Sequence, residues 1–233
     1  MKIALIVAAV GVVLAIVAML TFVYVIQNVE QPRYTVLEQQ GDIEVRDYPS
    51  LVVAEVRRDG SRQEGLSAGF DPLARYIFAK ERGGERIAMT APVVQQAEAT
   101  YARIAMTAPV TQQAVDGSGQ NGNRKAGWAV RFIMPSVYSL SDLPAPAGDD
   151  VKLYELPPRR MAAIRFNGRT TDRLIAKQEQ RLLGWMQQHR LKPAAAPVYA
   201  YYNDPFTPGF LRRNEVLIEV ARAPGGEHRS GKP

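Results

Sequence analysis

The sequence predicts an α+β domain made of two related halves, preceded by one N-terminal transmembrane helix. Three observations predict this. Glu155-Leu156-Pro157, then Ala162, Ile164, Arg165, Asn167 and Gly168, match at a distance of 108 positions Asp47-Tyr48-Pro49, then Ala54, Val56, Arg57, Asp59 and Gly60. In both halves this strand-like segment leads into a helix, which gives two hairpin–helix–strand units with pseudo-twofold symmetry in one domain. Finally, no charged residue occurs between Ile3 and Ile26.

That charge-free run spans roughly 36 Å as a helix at about 1.5 Å per residue, enough to cross a bilayer. A cleaved signal peptide has a shorter apolar core, of roughly 7–15 residues, and a small-x-small exit. Here the apolar run continues through Phe22, Val23, Tyr24 and Val25, so residues 1–29 are expected to form an uncleaved single-pass anchor in the inner membrane. Lys2 precedes the span and Glu30 follows it. The positive-inside tendency then puts the N-terminus in the cytoplasm and the domain on the extracytoplasmic, periplasmic side. Residues 27–32 are a polar linker.

The folded domain is expected over residues 33–222. Tyr34–Glu38, the turn Gln40-Gly41-Asp42, and Ile43–Tyr48 form a hairpin, and Leu51–Val56 a third strand. Ser61 and Glu64 have the spacing of a capping box, and Leu66, Phe70, Leu73 and Ile77 then recur every three or four residues. This predicts an amphipathic helix to about Ala79, bent at Pro72 or restarted there from an Asp71 cap. Next comes a doubled stretch. Arg86-Ile87-Ala88-Met89-Thr90-Ala91-Pro92-Val93 is repeated seventeen positions later as Arg103-Ile104-Ala105-Met106-Thr107-Ala108-Pro109-Val110. Each copy alternates bulky with small or polar residues, the period of a half-buried strand that must run at an edge, bend or stop at its proline.

Residues 116–127 are rich in Gly and Asn and predict a mobile loop. Trp128–Met134 is a strand stopped at Pro135. The second helix starts at Thr170 or Thr171 and runs to about Arg190, with Leu174, Ile175, Leu182, Trp185 and Met186 facing inward. Val198–Tyr202 and Glu215–Val220 are later strands. The tail, 223–233, is predicted to be disordered.

Composition excludes much chemistry. The absence of cysteine rules out disulfides, thiolate metal sites, Cys nucleophiles and a lipid-modified cysteine anchor. The two histidines, His189 and His228, are too few for a multi-histidine site. No Gly-x-Ser-x-Gly elbow, phosphate loop, dinucleotide fingerprint or His-Glu-x-x-His signature is present. The chain is therefore not expected to be an enzyme. A net charge of +6 suits an anionic ligand or a membrane surface. The basic clusters Arg57-Arg58 with Arg62, Arg159-Arg160 and Arg212-Arg213 are dispersed and not interleaved with aromatics, so nucleic acid is not an expected partner. They read as a solvated face, or as caps on an anionic ligand. Asn203-Asp204-Pro205-Phe206-Thr207-Pro208-Gly209-Phe210 is a proline-stiffened aromatic loop that either covers the core or walls a flat apolar ligand carrying carboxylates.

Tyr34-Thr35-Val36-Leu37-Glu38, Ile43-Glu44-Val45-Arg46, Ile87-Ala88-Met89-Thr90-Ala91-Pro92-Val93, Arg131-Phe132-Ile133-Met134-Pro135 and Arg212-Arg213-Asn214-Glu215-Val216 together resemble the SOUL haem-binding family, in the right order and over about 33–220. The resemblance implies a distorted β-barrel of two α+β repeats flanked by two helices. It also implies binding of haem or another tetrapyrrole in a shallow apolar groove. One wall would be Phe70, Leu73 and Ile77 of the first helix, with Arg75 placed for a propionate and Tyr76 matching the family's helix tyrosine. The other would be Phe206, Pro208 and Phe210. Phe70, Leu73 and Ile77 are equally what any amphipathic helix buries. No matched stretch contains histidine, so iron would take Tyr76, a methionine or no strong protein ligand. The expected function is a reversible tetrapyrrole carrier or buffer; the alternative is an interaction module of the same fold that binds no haem.

Overall fold

A computed structural model describes residues 10–14, 17, 29–97, 127–203 and 207–221. Nine strands form one sheet, all antiparallel: β1 (Thr35–Gln40), β2 (Ile43–Tyr48), β3 (Leu51–Asp59), β4 (Val93–Ala97), β5 (Gly127–Ile133), β6 (Lys152–Leu156), β7 (Arg159–Asn167), β8 (Val198–Tyr201) and β9 (Arg213–Glu219). Helix α1 (Arg62–Ile77) follows β3, and α2 (Asp172–Gln188) follows β7.

The spatial order β1-β2-β7-β9-β8-β4-β5-β3-β6 carries the symmetry. Exchanging β2 with β6, β3 with β7, β4 with β8 and β5 with β9 reverses the order from β2 to β6, so a pseudo-twofold axis runs between β4 and β8. β3 and β7 are offset by the 108 residues of the sequence repeat. Each half lends its first strand to the other, β2 pairing with β7 and β6 with β3. The sheet is strongly curled but open, so the distorted β-barrel expected takes the form of a half-barrel with edges at β1 and β6.

Strand alternation splits the core in two. On one face, Ala54, Val56, Val130 and Phe132 pack beneath α1, and Ala162, Ile164, Val216 and Ile218 beneath α2. The opposite face buries Val53, Val94, Ile133, Met161 and Leu217. Seven strands line a single small hollow on that face, so the sheet curls around it and the helices lie outside.

The capping box forms as predicted: the Glu64 N–H donates to Ser61 Oγ and the Ser61 N–H to Glu64 Oε2. Pro72 lies inside one continuous helix and does not restart it from Asp71. It cannot donate to the Ala68 carbonyl, but the Arg58 guanidinium does, at 3.2 Å. Gly65 and Gly69 let α1 lie close to β5, since a Cβ at Gly69 would stand 2.7 Å from Val130. α2 is capped by Thr171 and ends at His189. His189 is stacked on Trp185, ring centroids 3.9 Å apart, and donates from Nδ1 to the Trp185 carbonyl.

The first copy of the doubled stretch is corrected by the structure. Strand β4 begins only after the proline, at Val93. Before it, backbone bonds run to separate segments: Ile87 N–H to the Ile77 carbonyl and Ala91 N–H to the Glu30 carbonyl. The alternation of Ile87 and Ala91 marks buried anchors in an irregular segment, not a ladder. The second copy, 103–110, the 116–126 loop and the tail lie outside the described residues. So does most of the predicted anchor; residues 10–14 and 17 are helical. Among the described residues no helix is long and apolar enough to cross a membrane.

Candidate functional site

The residues assigned to a groove divide by burial. Leu73, Tyr76 and Ile77 are 0%, 4% and 1% exposed, in the core between α1 and the sheet. Leu73 and Ile77 thus serve as core packing, the ordinary role of a helix's apolar stripe. The Tyr76 hydroxyl donates to the Pro144 carbonyl at 2.9 Å, its ring lies under the Arg82 guanidinium, and burial raises its pKa against the pull of Arg82. Phe70 remains partly exposed, its ring edge on Phe132 at 5.3 Å. Arg75 is exposed and shared between Asp71 and Glu81, at 2.6 and 2.8 Å. Exposed ion pairs of this kind are worth about 0–1 kcal/mol, so an incoming carboxylate can displace them.

Opposite, Pro208 and Phe210 are exposed. The turn Gly209–Leu211 packs on β7, and Asn167 donates to the Phe210 carbonyl. Helix α1 packs on β3 and β5, in the other half. The two proposed walls therefore stand on different parts of the sheet, and Phe206 lies outside the described residues. The starts of the two helices do meet: Arg62, buried at the head of α1, donates to Asp172, to the Tyr201 hydroxyl and to the Thr170 carbonyl of the α2 approach.

Two features were not foreseen. The first is the polar architecture of the inner face. Arg46 on β2 and Glu215 on β9 are each 1% exposed and form a bidentate pair at 2.7 and 3.1 Å. Arg213 and the Tyr202 hydroxyl also donate to Glu215, both at 2.8 Å. Burial alone would raise the Glu215 pKa; the Arg46 and Arg213 guanidiniums overcome it and hold the carboxyl at about 2. Burial pushes Tyr48, next to Arg46, up to about 12. Across the sheet a second buried carboxylate, Glu55, accepts from Arg131, Arg57 and the Tyr154 hydroxyl. Burial works against its charge, and these donors together hold it below the usual carboxylate range.

The second is a cleft of about 340 Å³ where the ends of β2, β3 and β5 meet the segment 30–33. Its walls include Pro32, Leu51, Ile133, Met134 and Leu140, with Glu30, Arg33 and Glu155 as charged members. The Met-Thr-Ala-Pro and Phe-Ile-Met-Pro stretches meet there. Thr90 donates to the Ile133 carbonyl, Met134 N–H to the Val52 carbonyl, and Ser136 N–H to Glu30 Oε1. These stretches fasten three chain segments around the cleft.

A tetrapyrrole fits parts of this surface unevenly. The inner hollow, about 30 Å³, is far below the roughly 300–1,000 Å³ of a small-molecule pocket, and the cleft reaches only its lower end. The outer face of α1 offers apolar area at Phe70 and Phe78, with Arg75 beside it. Among the described residues no three His, Cys, Asp or Glu side chains gather as a metal site.

The C-terminal domain of EcmrR has a similar fold, with a TM-score of 0.53 at 9% identity, covering 82% of this chain and 99% of that one. In the EcmrR–DNA complex the TM-score is 0.52 at 9% identity over 78% of this chain, which spans 57% of that longer chain. A hydrolase from Listeria innocua is similar at a TM-score of 0.50 and 10% identity, covering 79% and 94%. At these identities the likeness is one of fold alone. No curated relative matches the chain. The model of the SOUL heme-binding protein family matches residues 29–219, from the segment before β1 to the end of β9. With those motifs in their places in the sheet, the chain belongs to the SOUL heme-binding protein family.

Proposed function

We propose that this protein binds haem or a related tetrapyrrole reversibly, as a carrier or buffer, and that residues 1–29 hold it on the extracytoplasmic face of the inner membrane. The family match over 29–219 carries the reading. The apolar face of the ligand lies on the outer face of α1 at Phe70, with Arg75 exchanging its surface partners for a propionate. When bound, the haem would supply the metal centre. The chain's own part is apolar contact and charge pairing, which makes exchange fast compared with a site built on an axial histidine.

The test is a haem titration of the full chain in detergent. A saturable one-to-one Soret shift is expected, weakened about tenfold by Arg75→Glu, which exchanges a charge-assisted bond for repulsion. A spectrum identical to free haem at every ratio would refute the reading. The burial of Leu73, Tyr76 and Ile77 favours a second reading, in which the same fold serves as a non-enzymatic interaction module. That module would show no haem saturation.

A further inference from the structure

The basic pairs of the sequence are mostly spent on carboxylates. Arg58 holds Asp150, Arg160 holds Asp47 and Arg213 holds Glu215. Arg159 differs from these three. Strand alternation turns Arg160 outward and Arg159 onto the inner face, where it borders the apolar hollow with Met161, Val94 and Leu217. Among the described residues no hydrogen bond or ion pair reaches its guanidinium. Burial lowers its pKa, and the neighbouring Arg131 lowers it further; Glu219 pulls the other way without forming a pair. Around it the carboxylates are already shared, Glu55 between Arg57 and Arg131, and Glu215 among Arg46, Arg165 and Arg213. A partly desolvated cation without a counter-ion destabilises the free protein. It is therefore a cost that a ligand can relieve.

We propose that the inner face holds a second binding site, separate from the haem surface, for an amphipathic carboxylate with a short alkyl tail. The carboxylate pairs with Arg159 in the hollow. The hollow, about 30 Å³, admits a group of that size and little more. The tail passes Pro32, Leu51 and Ile133, residues shared by the hollow and the cleft, into the adjoining 340 Å³. Charge selects the occupant: one unpaired cation, an apolar surround and an excess of arginine reject amines and favour a single anion. The proposal does not depend on haem binding.

Octanoate is the probe, titrated into the full chain by calorimetry, with octanol and octylamine as controls and the Met161 methyl resonance as a local reporter. Saturable octanoate binding that shifts the Met161 methyl is expected, with octanol at least tenfold weaker and octylamine silent. Arg159→Gln should weaken octanoate about tenfold or more, and Arg159→Lys should recover part of that loss. Arg159→Gln should also raise the urea midpoint of the ligand-free protein, because it removes an unpaired charge. Equal binding of octanol and octanoate, unchanged octanoate affinity in Arg159→Gln, or a lowered midpoint in that variant would each overturn the site. Haem titration of Arg159→Gln should match that of the parent protein. A parallel loss there would merge the two sites and refute their separateness.

Discussion

Replacing Glu215 by Gln tests the electrostatic centre of the fold. The carboxyl titrates at about 2 in the folded protein against 4.5 for an exposed glutamate. At about 1.4 kcal/mol per unit, that difference corresponds to about 3 kcal/mol of stability. Because the folded value is depressed, the unfolded chain binds more protons as acid is added. The contribution is fully present above about pH 5.5 and is lost as the pH falls towards 2. The Glu215→Gln substitution keeps the shape of the side chain but takes the bidentate carboxylate from Arg46, 1% exposed, leaving it only Glu44 at its Nε. Breaking one side of a buried pair costs about 3–5 kcal/mol. Urea unfolding of the full chain, followed by tryptophan fluorescence between pH 7 and 2.5, should show E215Q less stable by that amount at pH 7. Its loss on acidification should be shallower than the parent's. Two curves of equal slope, or a difference under about 1 kcal/mol at pH 7, would refute the assignment.

Other variants separate packing from ligand contact. Leu73→Ala should cost about 2–5 kcal/mol, since its side chain is fully buried. Phe70→Ala should cost only about 1 kcal/mol for its edge contact with Phe132, and urea midpoints rank the two. Gly69→Ala places a Cβ 2.7 Å from Val130, closer than non-bonded carbons stand, so α1 or the Val130 side chain must shift. That overpacking should cost about 1–3 kcal/mol in the same assay.

Periodicity and punctuation made much of this fold legible. The Ser61 and Glu64 cap, the start of α2 at Thr170 or Thr171 and the 108-residue echo of β3 in β7 were legible as caps and repeat, and the structure takes Thr171 as the cap. Which strands pair was not legible, because alternation reveals the face a residue occupies and not its neighbour across the ladder. Thus Arg46 and Glu215, 169 positions apart, could not be joined from spacing. The stretch Ile87–Ala91 has a strand's alternation, but its hydrogen bonds go to separate segments. For the candidate site, helical spacing puts Phe70, Leu73 and Ile77 on one stripe and is silent on whether the sheet or a ligand covers it. One signal was available and overlooked. Arg159 and Arg160 are adjacent in a strand, so they cannot act as one cluster.

The exchange of first strands makes the two halves one cooperative unit. β2 pairs with β7 over six residue pairs from Ile43–Ile164 to Tyr48–Arg159, and β6 completes the edge beyond β3. Separating the halves would strip Arg46 from Glu215 and break the β4–β8 seam, where the Tyr201 hydroxyl donates to Gln95 and Gln95 to the Arg62 carbonyl. Neither half then has a closed core of its own. Trp128 lies in the first half on β5, and Trp185 in the second on α2. Single-tryptophan variants, Trp128→Phe and Trp185→Phe, should therefore give urea transitions whose two spectroscopic probes, fluorescence and far-ultraviolet circular dichroism, coincide within each variant. If the halves were independent, fluorescence from one tryptophan would change over a denaturant range in which the circular dichroism retained about half its native signal.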